Sequence, residues 1–337
     1  MTPATPEPLV RALFADLADG EFHSGAQLAA QHQVTRSGVW KAIGNLRLLG
    51  LPVKAVRNRG YRLADGVTPL SAAAILAQIA PLRRERVFKC TVLWSADSTN
   101  STLLESPAAR PGEFHVLFAE NQQAGRGRRG RSWLAPLGSG LCLSLGFGVE
   151  SLPRDFGGLT LAVGLAVRAA ATEGGASGLA IKWPNDLVCG RSKIGGILTE
   201  LRAEAGGPAW VVVGIGLNYL LPGVVAKSLQ DNGAVAGDLR SLGLTDDRNK
   251  LAARIVDSCI AAVELFLRQG LAPFQSRWRE FDVLSGQSVH VAAAAGNSFD
   301  GQACGIDDSG ALLVSTSNGQ VAVLAGDVSV RAAPVLV

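Results

Sequence analysis

The chain lacks the features that mark secreted, membrane-bound and metal-built proteins. Its five cysteines (Cys90, Cys142, Cys189, Cys259, Cys304) are odd in number, far apart and never in a paired metal-ligand spacing. That argues against a disulfide framework and against a zinc site, so no residue is assigned as a metal ligand and the thiols are read as small, mostly buried hydrophobes. Long hydrophobic runs are also missing: the most apolar helical stretch, Leu159 to Ala171, is too short to span a bilayer and contains Arg168. Met1 to Pro8 shows no basic region followed by an apolar core, hence no secretory signal. The expectation is a cytoplasmic protein with no membrane partner. There is no internal repeat and no long low-complexity tract. Between Phe22 and Ala64 there is no Asp or Glu.

What is present fills in the picture. At 337 residues with 47% hydrophobic content, the chain can build two or three domains with real cores. Net charge is a modest +4, but the acid-free block carries Arg36, Lys41, Arg47, Lys54, Arg57, Arg59 and Arg62, a one-signed patch that suggests a polyanion partner. The same block has the layout of a winged helix-turn-helix. Leu9, Leu13 and Leu17 recur with helical period up to Gly20, Ser24 can cap a second helix containing Leu28, and a third helix runs from Ser37 to Leu49. On that third helix Val39, Ile43, Leu46 and Leu49 should face the core, leaving Arg36, Ser37, Lys41 and Asn45 for base edges or phosphates. Val53 to Leu63 reads as two short strands around an Asn-Arg-Gly turn, a wing whose Arg57 and Arg59 suit phosphate contacts. The plain alternative is a small accessory domain with solvated basic residues.

The stretch Gly125-Arg126-Gly127-Arg128-Arg129-Gly130-Arg131 packs four arginines and three glycines with no acid and no aliphatic residue. It can be neither a buried strand nor an amphipathic helix. Glycine lets backbone approach a ligand, and arginine offers forked donors, so the pattern is that of an anion-gripping loop, with phosphate the natural anion. Strands on either side, Glu113 to Ala119 and Gly140 to Leu145, place it on a folded scaffold rather than in a disordered tail. Ser98 and Thr99 either cap the helix after strand Val87 to Trp94 or hydrogen-bond a ligand at that strand's end. Lys182 and Lys193 lie beside turn residues, as surface lysines or as cations reaching a bound anion. A capped connector helix, Ser71 to Ile79, precedes this region. Leu159 to Thr172, Arg248 to Gln269 and Pro273 to Glu280 read as helices, Ala209 to Leu217 as a strand ending at Asn218. From Val283 onward short strands alternate with turns at Gly296-Asn297, Asp307 to Gly310 and Asn318-Gly319, the spacing of a small barrel.

In this order, three stretches resemble the bacterial biotin-protein ligases that double as biotin operon repressors: Gly125 to Trp133; Lys182-Trp183-Pro184-Asn185-Asp186 with Lys193-Ile194-Gly195-Gly196-Ile197-Leu198; and Gly214-Ile215-Gly216-Leu217-Asn218. The resemblance covers nearly the whole chain and implies an α+β multidomain protein. Residues 1–66 would form the winged helix-turn-helix and 67–86 a linker helix. Residues 87–282 would form a class II synthetase-like catalytic domain with a mixed sheet and helices, and 283–337 a small SH3-like barrel. Gly195 stands where many relatives carry another small residue, and no functional departure is expected from it.

The implied chemistry is two-step. Biotin and MgATP give biotinyl-5'-AMP and pyrophosphate, and a lysine of a biotin carboxyl carrier protein domain then takes the biotinyl group. A carboxylate facing a triphosphate needs cations and protection from water, which a closing Arg-Gly loop supplies. By position, Ser98, Thr99, Asn100 and Gln122 should bind the biotin rings, and Arg126, Gly127 and Arg128 should close on biotin and the adenylate phosphate. Trp133 should stack on adenine, with Asn185 and Asn218 also toward the nucleotide. Lys193 should bind the biotin carboxylate and transferring phosphoryl group, Lys182 stabilise phosphate charge, and Asp186 orient the incoming amine. The empty loop is expected to be mobile. The family further implies homodimerisation when the adenylate is bound, and operator DNA as a partner with the adenylate as corepressor. The rivals are a lipoate-type ligase, a ligand-sensing transcription factor without ligase activity, and a ligase whose N-terminal domain no longer regulates.

Overall fold

The structure, a computed structural model, describes residues 8–63, 67–153, 155–203, 208–231, 235–293, 298–325 and 328–332. Residues 1–7, Gly66 at the expected domain boundary and the Gly296-Asn297 turn lie outside the described residues.

The N-terminal unit is α1 (Pro8–Asp16), α2 (Gly25–Gln31), α3 (Arg36–Leu48) and a hairpin of β1 (Val53–Val56) and β2 (Gly60–Leu63). Local chemistry sets its boundaries. Gly20 ends the first helical segment in a left-handed conformation (φ 74°), and Ser24 forms a capping box with Gln27. Thr35 caps α3 through the Gly38 amide. Val39, Ile43 and Leu46 are buried as their spacing requires, while Leu49 is only partly covered. Asn58 (φ 63°) and Gly60 (φ 105°) make the wing turn.

Two short helices follow, α4 (Ala72–Gln78), capped by Ser71, and α5 (Pro81–Arg84). The expected connector is built into the larger unit: Leu70, Ile75 and Ile79 belong to its core. At the join, Arg248 is fully buried and donates to Glu120 (2.7 Å), to Thr68 O (2.8 Å) and to Gly140 O (2.9 Å). Glu120 also accepts the Leu70 amide, so the connector is tied to two strands of the sheet.

That sheet has seven strands: β3 (Val87–Leu93), β4 (Phe114–Ala119), β5 (Gly140–Val149), β6 (Ala180–Lys182), β7 (Asp186–Cys189), β8 (Ser192–Ala203) and β9 (Ala209–Asn218). Their order is β3-β4-β5-β9-β8-β7-β6, parallel at β3/β4 and antiparallel elsewhere, the mixed sheet expected. The period-2 rule sorts β9 cleanly. Val211, Val213, Ile215 and Leu217 enter the main core with α7 (Leu159–Glu173) and α9 (Arg248–Gln269). Trp210 and Val212 pack on the opposite face with Leu103 of α6 (Thr99–Glu105). Further along that second face come Gly214 and Gly216, which present no side chain of their own. Helices α8 (Gly223–Asp231) and α10 (Gln275–Phe281) complete the unit.

The C-terminal unit is an antiparallel sheet of β10 (Ser288–Ala293), β11 (Ser298–Ile306), β12 (Leu312–Thr316), β13 (Gly319–Val323) and β14 (Val328–Ala332), ordered β13-β12-β11-β10-β14. Among the described residues β13 and β14 stay as two edges. The sheet is open, and the closed barrel expected from the turn spacing is not what the pairings describe. Its Val289, Val291, Leu312 and Val314 join the core of the seven-stranded unit, so the two units share one hydrophobic interior.

Candidate functional site

Strand register builds the floor. Lys182, Asp186, Gly196, Gly216, Cys142 and Ala119 are successive partners across β6-β7-β8-β9-β5-β4, and one pleat away Leu198, Gly214, Ser144 and Leu117 form a second row. Side chains two apart on a strand share a face, so both rows line one side of the sheet. The glycines are there because something lies on them. A Cβ on Gly214 would sit 2.3 Å from Asn100 Oδ1, and one on Gly216 would sit 2.6 Å from Trp133 Cε2. Gly195 points the other way, where a Cβ would meet Leu217 Cδ2 at 2.4 Å; packing alone holds it to glycine.

Asn100 lies in the first turn of α6, capped by Ser98, whose Oγ accepts from the Ser101 amide. Thr99 reaches Gln122 Oε1 from its amide (2.8 Å) and hydroxyl (3.1 Å). Ser144, fully buried, lies 2.7 Å from Thr99 Oγ1 and 2.6 Å from Asn100 Oδ1. Asn100 donates to Leu198 O (3.0 Å) and to Glu200 Oε2 (2.8 Å). Both readings of Ser98 and Thr99 therefore coexist: they cap a helix, and they stand on a cavity wall.

The Arg-Gly loop is a compact excursion. Trp133 N donates to Gly125 O and Gly127 N to Arg131 O, both at 2.7 Å, and Arg126 bridges Ser132. Its tip is a 3-10 turn, Arg128–Gly130, with Arg129 in the left-handed region (φ 59°, ψ 37°). Each limb is tied down. Arg126 donates to Glu200 Oε2 at 3.0 Å, while Arg128 reaches Asn185 Oδ1 at 3.4 Å and the carbonyl of Ala325 in the C-terminal unit. Opposite lies the Lys182 to Asp186 turn with a cis Trp183-Pro184 bond; buried Trp183 donates its indole N–H to Gly310 O (3.0 Å). Asn185 is fixed by bonds with Ile197 in both directions. Lys193 Nζ pairs with Asp186 Oδ1 at 2.6 Å, 5.8 Å from the Trp133 ring centre.

These residues enclose a cavity of about 250 Å³ lined by Ser98, Thr99, Asn100, Gln122, Arg126, Gly127, Arg128, Trp133, Lys182, Asn185, Asp186 and Lys193. Segments nearly a hundred residues apart thus converge, with Lys193 and Arg128 gathered around the Lys182 to Asp186 turn and neutral donors and acceptors around Asn100, where Arg126 joins them through Glu200. Asn218 is set apart. It is buried, and its amide donates to Gly237 O (2.9 Å) and Lys193 O (3.4 Å), fastening the strand that carries Lys193. Burial holds the Cys142 thiol on the floor protonated, with its pKa raised to about 12, so it offers no nucleophile. Sequence reasoning passed over Ser144 and Glu200, which sit on strands as unremarkable polar residues and acquire partners only through the fold. It also passed over Trp40. That side chain is 66% exposed on α3, between Arg36 and Lys41 and five residues before Asn45; those residues, with Ser37, Arg57 and Arg59, are all exposed.

Comparison with known proteins gives a concordant result. Three family models match in chain order: an HTH domain over residues 15–62, the biotin/lipoate A/B protein ligase family over 92–218, and a biotin protein ligase C-terminal domain over 284–331. The bifunctional ligase/repressor BirA of Escherichia coli is 37% identical over 324 residues, spanning 95% of this chain and 97% of that protein. The chain belongs to the BirA-type ligase/repressor family. Its Bacillus subtilis counterpart is 31% identical over 92% of this chain and 94% of its own length. Among solved structures, the biotin protein ligase of Aquifex aeolicus in complex with biotin and ATP superposes with a TM-score of 0.61 at 26% identity, covering 73% of this chain and all of that one. Family membership thus fits a chain in which helix-turn-helix, ligase sheet and C-terminal sheet follow one another. No helix among the described residues is long and apolar enough to cross a membrane.

Proposed function

We propose that this protein is a biotin-protein ligase and biotin-responsive repressor, working in the cytoplasm. The observation that carries the reading is the cavity itself, in which a neutral hydrogen-bonding end faces a cationic end beneath one glycine-floored loop. The biotin rings occupy the end made by Ser98, Thr99, Asn100 and Gln122. The biotin carboxylate attacks the α-phosphorus of ATP, the bond to the β-phosphate oxygen breaks, and pyrophosphate leaves. Lys193, Lys182 and Arg128 neutralise the charge that grows on the phosphoryl oxygens, while Arg126 and Gly127 cover the biotin. Trp133 stacks on adenine, and Asn185 holds Arg128 toward the nucleotide. Asn218 acts from behind by fixing the Lys193 strand. Magnesium comes as part of the substrate: among the described residues no cluster of three or more acidic, His or Cys side chains could hold a metal. Such an ion binds phosphate oxygens with few protein ligands.

In the second step the carrier lysine's amine attacks the biotinyl carbonyl, AMP leaves and an amide forms. Asp186 orients the amine and accepts the proton it loses once Lys193 turns to the ligand. The exposed face of α3 (Arg36, Ser37, Lys41, Asn45, with Trp40) meets the major groove of operator DNA, and Arg57 and Arg59 of the wing meet phosphates. Adenylate-dependent homodimerisation and closure of the C-terminal sheet into an SH3-like barrel belong to the same proposal.

The test is biotin-dependent exchange of labelled pyrophosphate into ATP, with lipoate as the competing acid and Lys193→Ala as the variant. Exchange that requires biotin and falls at least a hundredfold in the variant is the expected result. Exchange with lipoate instead would favour a lipoate ligase, and none with either acid would leave a regulator that only senses its ligand.

A further inference from the structure

Glu200 has no place in the scheme above and does not line the cavity, yet it touches two residues that do. One carboxylate oxygen accepts from Asn100 Nδ2 at 2.8 Å and from Arg126 at 3.0 Å. Through these contacts a continuous polar chain runs Gln122, Thr99, Ser144, Asn100, Glu200, Arg126, joining the approach to the Arg-Gly loop to its first arginine. Asn100 is almost wholly buried and pressed against Gly214, so the acceptor is anchored on a fixed element. An exposed ion pair of this length would contribute almost nothing. Here Arg126 is itself 44% exposed, but the carboxylate side chain is 23% exposed and shares its oxygen with a buried amide, which restrains where the guanidinium lies.

We propose that Glu200 is a positioning residue, resting on the ligase reading above. It orients Arg126, and with it the N-terminal limb of the loop, over the biotin end of the cavity. Arg126 is one of four arginines within six residues, and a guanidinium among like charges moves away unless a counter-charge holds it. Glu200 supplies that counter-charge at the biotin end, as Asp186 does for Lys193 at the phosphate end. The two acids divide the cations of the site between its two ligands. Losing Glu200 should weaken biotin capture and retention, leaving ATP recognition largely as it was.

The full-length chain and the Glu200→Gln, Arg126→Gln and double variants are compared for biotin Kd by titration calorimetry, for KM of ATP in pyrophosphate exchange, and for thermal midpoint. Glutamine keeps shape and hydrogen bonding and removes only the charge. The expected result is a roughly tenfold or greater rise in biotin Kd for Glu200→Gln, a KM for ATP within threefold of wild type, and a double variant no worse than Arg126→Gln alone. Glu200→Gln with wild-type biotin affinity, or with a defect that multiplies with that of Arg126→Gln, overturns the inference while the ligase reading stands. A Glu200→Gln chain that loses thermal stability and both ligands in proportion shows a structural role and overturns it too. If the wild type itself binds no biotin, the ligase reading falls and takes this one with it.

Discussion

Replacing Gly216 with alanine separates the nucleotide end of the cavity from the biotin end. The added methyl would sit 2.6 Å from Trp133 Cε2, 2.8 Å from Nε1 and 3.0 Å from Cζ2. Ordinary contact begins near 3.4 Å, so the indole must retreat by 3.4 − 2.6, about 0.8 Å. Trp133 is half-buried at the mouth of the loop and has room to do so; the β9 backbone, paired on both sides, has none. Overpacking of this kind costs about 1–3 kcal/mol, which as lost affinity is about 5- to 150-fold. The cost should fall on ATP. We expect KM for ATP to rise within that range, biotin Kd to change less than threefold, and the thermal midpoint to shift by a few degrees at most. Gly214→Ala is the contrast. There the methyl meets Asn100 at 2.3 Å, and Asn100 is bonded to Leu198, Ser144 and Glu200, so it cannot step aside; stability and biotin affinity should suffer together. Unchanged KM for ATP in Gly216→Ala, measured by pyrophosphate exchange on a well-folded protein, would refute the assignment of Trp133 to the adenine.

Arg248→Met tests the join between the connector and the sheet. It strands Glu120 as a buried carboxylate and frees the Thr68 and Gly140 carbonyls, which should lower unfolding free energy by about 3–5 kcal/mol in a denaturant titration. A loss under 1 kcal/mol would contradict the account of Glu120 as a buried carboxylate held by Arg248. His115 carries a pH signature: burial, with nearby Lys89 adding to it, lowers its pKa from 6.5. A depressed histidine contributes stability that is fully present above about pH 6.5 and lost as pH falls toward the folded-state value. The midpoint of His115→Gln relative to wild type should therefore be flat above about pH 7 and climb below about pH 6.5, and a pH-independent difference would contradict that account.

Much of the architecture was legible because it rests on local rules. Ser24 and Ser71 cap the helices they were expected to cap, and Gly20 and Gly60 adopt the positive φ their turns demand. Alternation in Ala209 to Asn218 gave a strand, but not why Gly214 and Gly216 occupy one of its faces. That reason comes from Asn100 and Trp133, more than eighty residues earlier in sequence. The connector helix likewise showed its cap but not its place, since Ile75 and Ile79 have no local partner and find one only in the main core with α9. Turn spacing in the last fifty residues showed strands and not their closure, because register at the edges is a tertiary property. Glu200 and Ser144 were invisible for the same reason: an acid on a strand reads as solvated until the partner across the sheet is known.

The four-arginine loop is where these limits meet. Taken alone it is a run of mutually repelling charges, and its tip holds Arg129 in a left-handed conformation that costs about 1–2 kcal/mol. It is held by acceptors drawn from other parts of the chain: Glu200 on β8 for Arg126, Asn185 in the turn before β7 and a carbonyl of the C-terminal sheet for Arg128. None of these lies within fifty residues of the loop in sequence. The loop therefore takes this shape only when the catalytic sheet is complete and the C-terminal sheet is docked on it. A half-folded chain would carry the motif intact without the strand that orients Arg126 or the turn that holds Arg128. The motif names the chemistry, and the distant acceptors decide where its cations stand.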